Sequence, residues 1–166
     1  MSFMMKPYNR DVAVTYADQW ALKRNPRYYD FNNIGGDCTN YCSQAIFAGT
    51  GKMNYHPSNG WYYIDGNNKS PSWTGVNFFY QFLVNNNSAG PVAREVRMHE
   101  IQIGDIIQVS FVQENMFNHS LVVVETGKIP NETNIKVDTH TDDQYHNSLT
   151  DYQWTKIRFL HVEGYN

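Results

Sequence analysis

The chain's two cysteines, Cys38 and Cys42, fall about one helical turn apart in the stretch GGDCTNYCSQ, residues 35–44. Gly35-Gly36 permits a sharp turn and Asp37 can cap a helix, which puts Cys38 in that helix's first turn. Unpaired backbone N–H groups and the positive end of the helix dipole favour a thiolate there, and such a thiol can reach a pKa of roughly 3.5–7.5. Cys38, Tyr41, Cys42, Ala45 and Ile46 form one stripe, so both thiols face the protein, and Cys42 lies a turn deeper. One reading makes Cys38 a nucleophile and leaves Cys42 to pack. The plain alternative makes both thiols small buried hydrophobes.

A nucleophilic thiol needs a base, and the chain offers six histidines. His119 opens the most hydrophobic run, directly after the polar loop QENMFN, so its ring belongs at a sheet rim where a site can open. A third group should hold that imidazole in one tautomer and orientation. If HSLVVVE (119–125) and NIKVDTH (134–140) pair as antiparallel neighbours, Glu125 faces Asn134, His119 faces His140, and Asp138 is a diagonal neighbour. His140 is then the first choice as orienter and Asp138 the second. A one-residue slip would turn His140 to the other face.

These groups need elements to position them. Asn9 can cap a helix whose apolar positions Val12, Ala13, Tyr16, Ala17 and Trp20 recur at helical spacing, with Asn25-Pro26 as its stop. The Asp37 helix runs to about Gly49. Residues 50–71 are rich in Gly, Asn, Pro and Ser with aromatic islands, which predicts a long surface excursion. Ser72 opens a third helix with Val76, Phe79, Tyr80 and Leu83 on one face. After it the period changes, and VAREVRM, DIIQVSF, HSLVVVE, NIKVDTHT and KIRFLHVE read as strands separated by turns. That order predicts an α+β fold in which N-terminal helices pack on one side of a C-terminal antiparallel β-sheet.

The bulk numbers set bounds. A chain of 166 residues suits one domain spanning 1–166, and 41% hydrophobic with 15% aromatic residues argues against disorder. A net charge of −3 without a basic block argues against a nucleic-acid partner. No apolar run is long enough to span a bilayer, and the start MSFMMKPYNRDVAV lacks a secretory leader. The chain is therefore expected to stay where it is made, unless it is released by lysis or belongs to a longer exported protein.

Taken together, YNRDVAVTYADQWALKRNPRYYDF, GGDCTNYCSQAIFAGTG, SWTGVNFFYQFL, GDIIQV, NHSLVVV and DTHTDD resemble the putative amidase domain family. That family belongs to the papain-like superfamily, with the NlpC-type cell-wall peptidases and the CHAP amidases. The resemblance runs from about Tyr8 to about Leu149. It implies a papain-like core and a cysteine hydrolase, an amidase or peptidase that needs no metal or cofactor. Cys38 takes the nucleophile position, His119 the base and His140 the third polar position. Cys42 stands where the family often has an aliphatic residue. The implied substrate is a bacterial cell-wall (peptidoglycan) peptide, or the amide joining it to a muramyl sugar. The backbone N–H of Cys38 would hold the oxyanion, with Asn32, Asn33, Tyr28 or Tyr29 as the second donor. Trp61, Tyr62, Tyr63 and Trp73 flank the site in sequence, either as aromatic walls for substrate or as ordinary core.

Two other classes stay open on sequence alone. Cys38, Cys42, His119 and His140 make up a two-cysteine, two-histidine zinc set. A catalytically silent papain-like module would instead bind glycan or peptide through the aromatic loop at 55–73.

Overall fold

The computed structural model describes residues 4–111 and 116–166. Residues 113–115 of the polar loop expected before His119 lie outside the described residues. Among the described residues are four α-helices, a six-stranded antiparallel sheet and a small two-stranded one. The expected α+β architecture is present.

Helix α1 spans Arg10–Trp20, and Asn9 Oδ1 accepts from the Val12 N–H at 3.1 Å. Its buried stripe is narrower than the apolar spacing predicted: Ala13 and Ala17 are fully buried, whereas Val12 is turned to solvent. Small side chains there let α1 lie close against α2, Cys38–Thr50. Helix α2 is buried along nearly its whole length, on every side. A helix with no solvent face must carry polar residues that find partners inside the protein. Ser43 illustrates this, donating to Trp73 O at 2.9 Å while accepting from Trp61 Nε1 at 3.1 Å.

The segment 50–71 runs largely over the surface, as its composition predicts, but it is ordered and sends part of itself inward. It forms a hairpin of β1 (Tyr63–Asp65) and β2 (Asn68–Lys69), preceded by a bridge between Asn54 and Trp61. The Gly, Asn and Ser residues supply its turns, while Met53, Trp61 and Tyr63 enter the core. The third helix is split in two, α3 (Pro71–Thr74) and α4 (Val76–Asn85), because Gly75 adopts extended backbone between them.

The large sheet runs in the order β3-β8-β4-β5-β6-β7. Its strands are β3 (Pro91–Val96), β4 (Ile106–Ser110), β5 (His119–Glu125), β6 (Lys136–Thr139), β7 (Gln144–Ser148) and β8 (Lys156–Tyr165). Strand β7 has no counterpart among the predicted strands. Helices cover one face, where Ile106, Val122, Val124, Leu160 and Val162 meet Tyr41, Cys42, Ala45 and Ile46. On the other face Ile107, Val109, Leu121, Val123 and Val137 pack with Ile101, Ile135 and Leu149 of the connecting segments. Alternate residues of β5 therefore serve two cores. Among the described residues, no helix is long and apolar enough to cross a membrane.

One buried acid fastens the helix layer to the sheet. Asp105, just ahead of β4, accepts through Oδ1 from Arg10 Nη1 at 2.7 Å and Val162 N at 2.9 Å. Its Oδ2 accepts from Gln102 N and His161 Nδ1, both at 2.8 Å. Removing one side of such a pair strands the other, at a cost of about 3–5 kcal/mol. Asp105→Ala is expected to lower unfolding stability by about that amount in a urea titration. A loss below about 1 kcal/mol would mean that Arg10 and His161 find solvent instead.

Candidate active site

The start of α2 is held by the chain that precedes it. Gly35 and Gly36 take left-handed φ values of 82° and 99°, which delivers Asp37 and Cys38 beneath the start of β5. Gly36 also passes close to β6, since an added Cβ would meet Thr141 Oγ1 at 3.2 Å. Asp37 occupies the N-cap position without capping through its side chain. Its carboxylate is drawn inward: Oδ1 accepts from Phe31 N at 2.9 Å and Asn40 Nδ2 at 2.8 Å, and Oδ2 meets His140 Nδ1 at 2.5 Å. Arg24 Nε lies 3.6 Å from the same Oδ2.

His140 is fully committed to this arrangement. Its Nε2 lies 2.7 Å from the Trp20 carbonyl, which can only accept, so Nε2 carries hydrogen. Its ring stacks on Tyr41 with centroids 4.1 Å apart. It therefore does not orient His119, and the reason is register. Val122 pairs with Asp138 and Val123 with Val137, one residue off the expected alignment, and an irregularity follows before Glu125 meets Lys136. The slip sends Asp138 and His140 to the helix face and Thr139 to the face of His119.

Thr139 accordingly takes the place beside the imidazole. Its Oγ1 lies 3.2 Å from His119 Nε2, 3.0 Å from Ser120 O and 3.1 Å from His140 O. Donation of the single hydroxyl proton to either carbonyl leaves the oxygen to accept from His119 Nε2–H. In that arrangement His119 Nδ1 keeps a lone pair, the form a general base needs. Burial pulls its pKa down to about 4, with the Asp142 carboxylate opposing, so the ring is neutral at pH 7.

Cys38 is 6% exposed, with Sγ 3.8 Å from Thr39 Oγ1. Thr39 Oγ1 in turn lies 3.0 Å from Ser120 Oγ. Burial pushes the thiol up, and this outweighs the Ser120 backbone N–H and the Thr39 hydroxyl and N–H that favour its anion. The Asp37 charge raises it further. The depressed thiol expected from the helix start is thus corrected: desolvation wins, and the Cys38 thiol and the His119 imidazole are each neutral at rest. Among the described residues no hydrogen bond joins Cys38 to His119. Ser120, next to His119 in β5, is the residue whose N–H reaches the sulfur. Cys42 is fully buried, and its thiol is pushed well up by desolvation.

The remaining expected residues are dispersed. Asp138 points toward Asp18 of α1, and its Oδ1 accepts from His146 N of β7 at 2.7 Å. Trp61 and Trp73 are fully buried, their rings tilted by 37° with centroids 4.6 Å apart, and Trp73 Nε1 donates to Asn40 Oδ1 at 2.9 Å. They are core and present no wall to a substrate, because the hairpin folds over them. Asn33 is exposed in the turn before Gly35. The two-cysteine, two-histidine set is not assembled: among the described residues, none of Cys38, Cys42, His119 and His140 belongs to a cluster spaced to hold a metal ion. Thr139 and Ser120 are residues that the sequence reading passed over, and Asp37 was read only as a helix cap. The signal for Thr139 was the alternation of DTH itself, which places it opposite in facing to its two neighbours.

Comparison with known proteins gives three findings. The family model described as a putative amidase domain matches residues 7–162. The chain is 34% identical over 123 residues to a protein of Bacillus subtilis (strain 168) described as uncharacterized protein YhbB, covering 73% of this chain and 38% of the relative. The chain thus spans well under half the length of that relative. No solved structure matches.

The neutral resting pair has a direct chemical readout. Iodoacetamide should modify Cys38 slowly at pH 7 and faster only above the ordinary thiol range near pH 8.5, leaving Cys42 unmodified throughout. His119→Ala should leave that profile unchanged. Rapid alkylation of Cys38 below pH 7, lost in His119→Ala, would instead reveal a preformed thiolate–imidazolium pair.

Proposed function

The chain belongs to the putative amidase domain family, and we propose that it is a cysteine hydrolase acting on amide bonds, folded as one papain-like domain. The observation that carries this reading is the Thr139 contact, which leaves His119 Nδ1 as an acceptor at the strand start whose next residue touches the Cys38 sulfur.

In the proposed reaction, substrate binding expels water and brings the carbonyl carbon to Cys38. The S–C bond forms as the thiol proton passes to His119 Nδ1. That proton then goes to the leaving nitrogen as the C–N bond breaks. Water attacks the thioester and yields its proton to His119, and the sulfur regains a proton as the acid departs. The start of α2 offers backbone N–H groups for the oxyanion. Thr139 acts as a positioning residue, and the Asp37–His140 pair holds the helix start in place. The substrate class inferred from the family resemblance is a peptide amide of the bacterial cell wall. A second reading, a binding module without turnover, draws on the missing Cys38–His119 hydrogen bond.

Soluble muropeptides with released amine as readout test these roles. Cys38→Ala should abolish turnover, and His119→Ala should lower kcat/KM by on the order of 10²–10⁴-fold. Thr139→Val should lower kcat about tenfold with KM unchanged, the weight of one lost hydrogen bond. Because His119 accepts a proton only near pH 4, the acid limb of kcat/KM should fall near there and not near pH 6.5. Turnover retained by Cys38→Ala would remove the thiol mechanism. Muropeptide binding without turnover, equal in the native protein and Cys38→Ala, would establish the binding module.

A further inference from the structure

Away from Cys38, three side chains from three elements converge: Asp18 of α1, Asp138 of β6 and His146 of β7. One ligand-type atom from each lies within 4.8 Å of the others. Asp18 Oδ1 and His146 Nε2 are 2.8 Å apart, and these two side chains are 32% and 34% exposed, which leaves a path from solvent. Asp138 is the inner member. It is 0% exposed, and its Oδ2 has no hydrogen-bond partner. A buried carboxylate oxygen without a donor demands an explanation. The close group on that side is another acid, Asp18, which has no proton to offer when ionised.

We propose that Asp18, Asp138 and His146 form a binding site for a divalent transition cation of the zinc class, with a fourth position left to water. The donor set is one imidazole nitrogen and two carboxylate oxygens, a combination suited to such an ion. Tetrahedral zinc with ligands at about 2.0–2.2 Å separates its donors by roughly 3.3 Å. The partly exposed Asp18 and His146, 2.8 Å apart, must part by about half an ångström, while the three donor atoms, now within 4.8 Å of one another, close on the ion. The cation satisfies the stranded Asp138 oxygen and removes the repulsion between the two acids. A bound ion ties α1 to β6 and to the edge strand β7, and it fixes the strand that carries Thr139 and His140. The site shares no residue with Cys38 or His119, so it stands whether or not the hydrolase reading does.

The test uses the full chain, stripped with chelator and dialysed. Zinc titrated calorimetrically should bind with one equivalent per chain, and added zinc should raise Tm in step with occupancy. Cobalt(II) should give the visible absorption of a tetrahedral mixed nitrogen–oxygen site. Asp18→Asn and His146→Gln, both at partly exposed positions and checked for folding by circular dichroism, should each weaken zinc binding on the order of tenfold or more and lose the cobalt spectrum. No saturable binding of zinc, cobalt or manganese overturns the proposal. Binding of undiminished affinity in both variants overturns it as well, since the ion would then sit elsewhere.

Discussion

A buried charge has to be paired, and Asp37 is the charge on which the frame of the candidate site depends. Its carboxylate accepts from Phe31 N, Asn40 Nδ2 and His140 Nδ1, with Arg24 close by. Those partners come from the loop before α2, from α2 itself, from the end of β6 and from the chain beyond α1. His140 extends the reach to the Trp20 carbonyl, and Arg24 extends it to Asp143 at 2.7 Å. One side chain thus coordinates four segments around the first turn of the helix that carries Cys38. The same commitment explains why Asp37 does not cap that helix. Low dielectric makes each bond strong only if the set is complete, so the helix start is held in a single position.

Strand β6 divides three neighbouring residues among three tasks by pleat alone. Asp138 and His140 turn to the helix layer, toward Asp18 and Asp37, while Thr139 turns the other way to meet His119. The base and its frame are therefore joined through a backbone only three residues long. Any motion of β6 relative to β5 is felt at His119, at the start of α2 and at the acid cluster together. The site owes its geometry to strand pairing more than to any loop.

Much of this was legible. The Asn9 cap and the recurring alanines specify α1, and runs of β-branched residues specify the strands that are buried on both faces. Strand β7 was missed because QYHNS has no apolar alternation, as suits an edge strand half open to water. The pairing of β5 with β6 was predicted, but its register was not, since the irregularity between Val123 and Glu125 leaves no mark in composition. That single residue of slip exchanged His140 for Thr139 beside the imidazole. The tryptophans stayed undecided between substrate wall and core because turn-forming residues around Trp61 suggest exposure, yet the turns fold it inward. The thiol was misjudged because position on a helix is visible in a sequence and depth of burial is not.

The composition of the two outermost strands bears on how the protein behaves in a crowd. A six-stranded antiparallel sheet that does not close on itself presents two open ladders of backbone donors and acceptors, each a template for another chain. Here β7 carries no aliphatic side chain, and β3 carries the exposed, charged Arg94 and Glu95. A neighbour adding itself to either ladder would have to desolvate these groups without compensation. The polarity that hid β7 from sequence reading is the same property that keeps the sheet from growing into its neighbours and favours a dispersed protein over a fibrillar one.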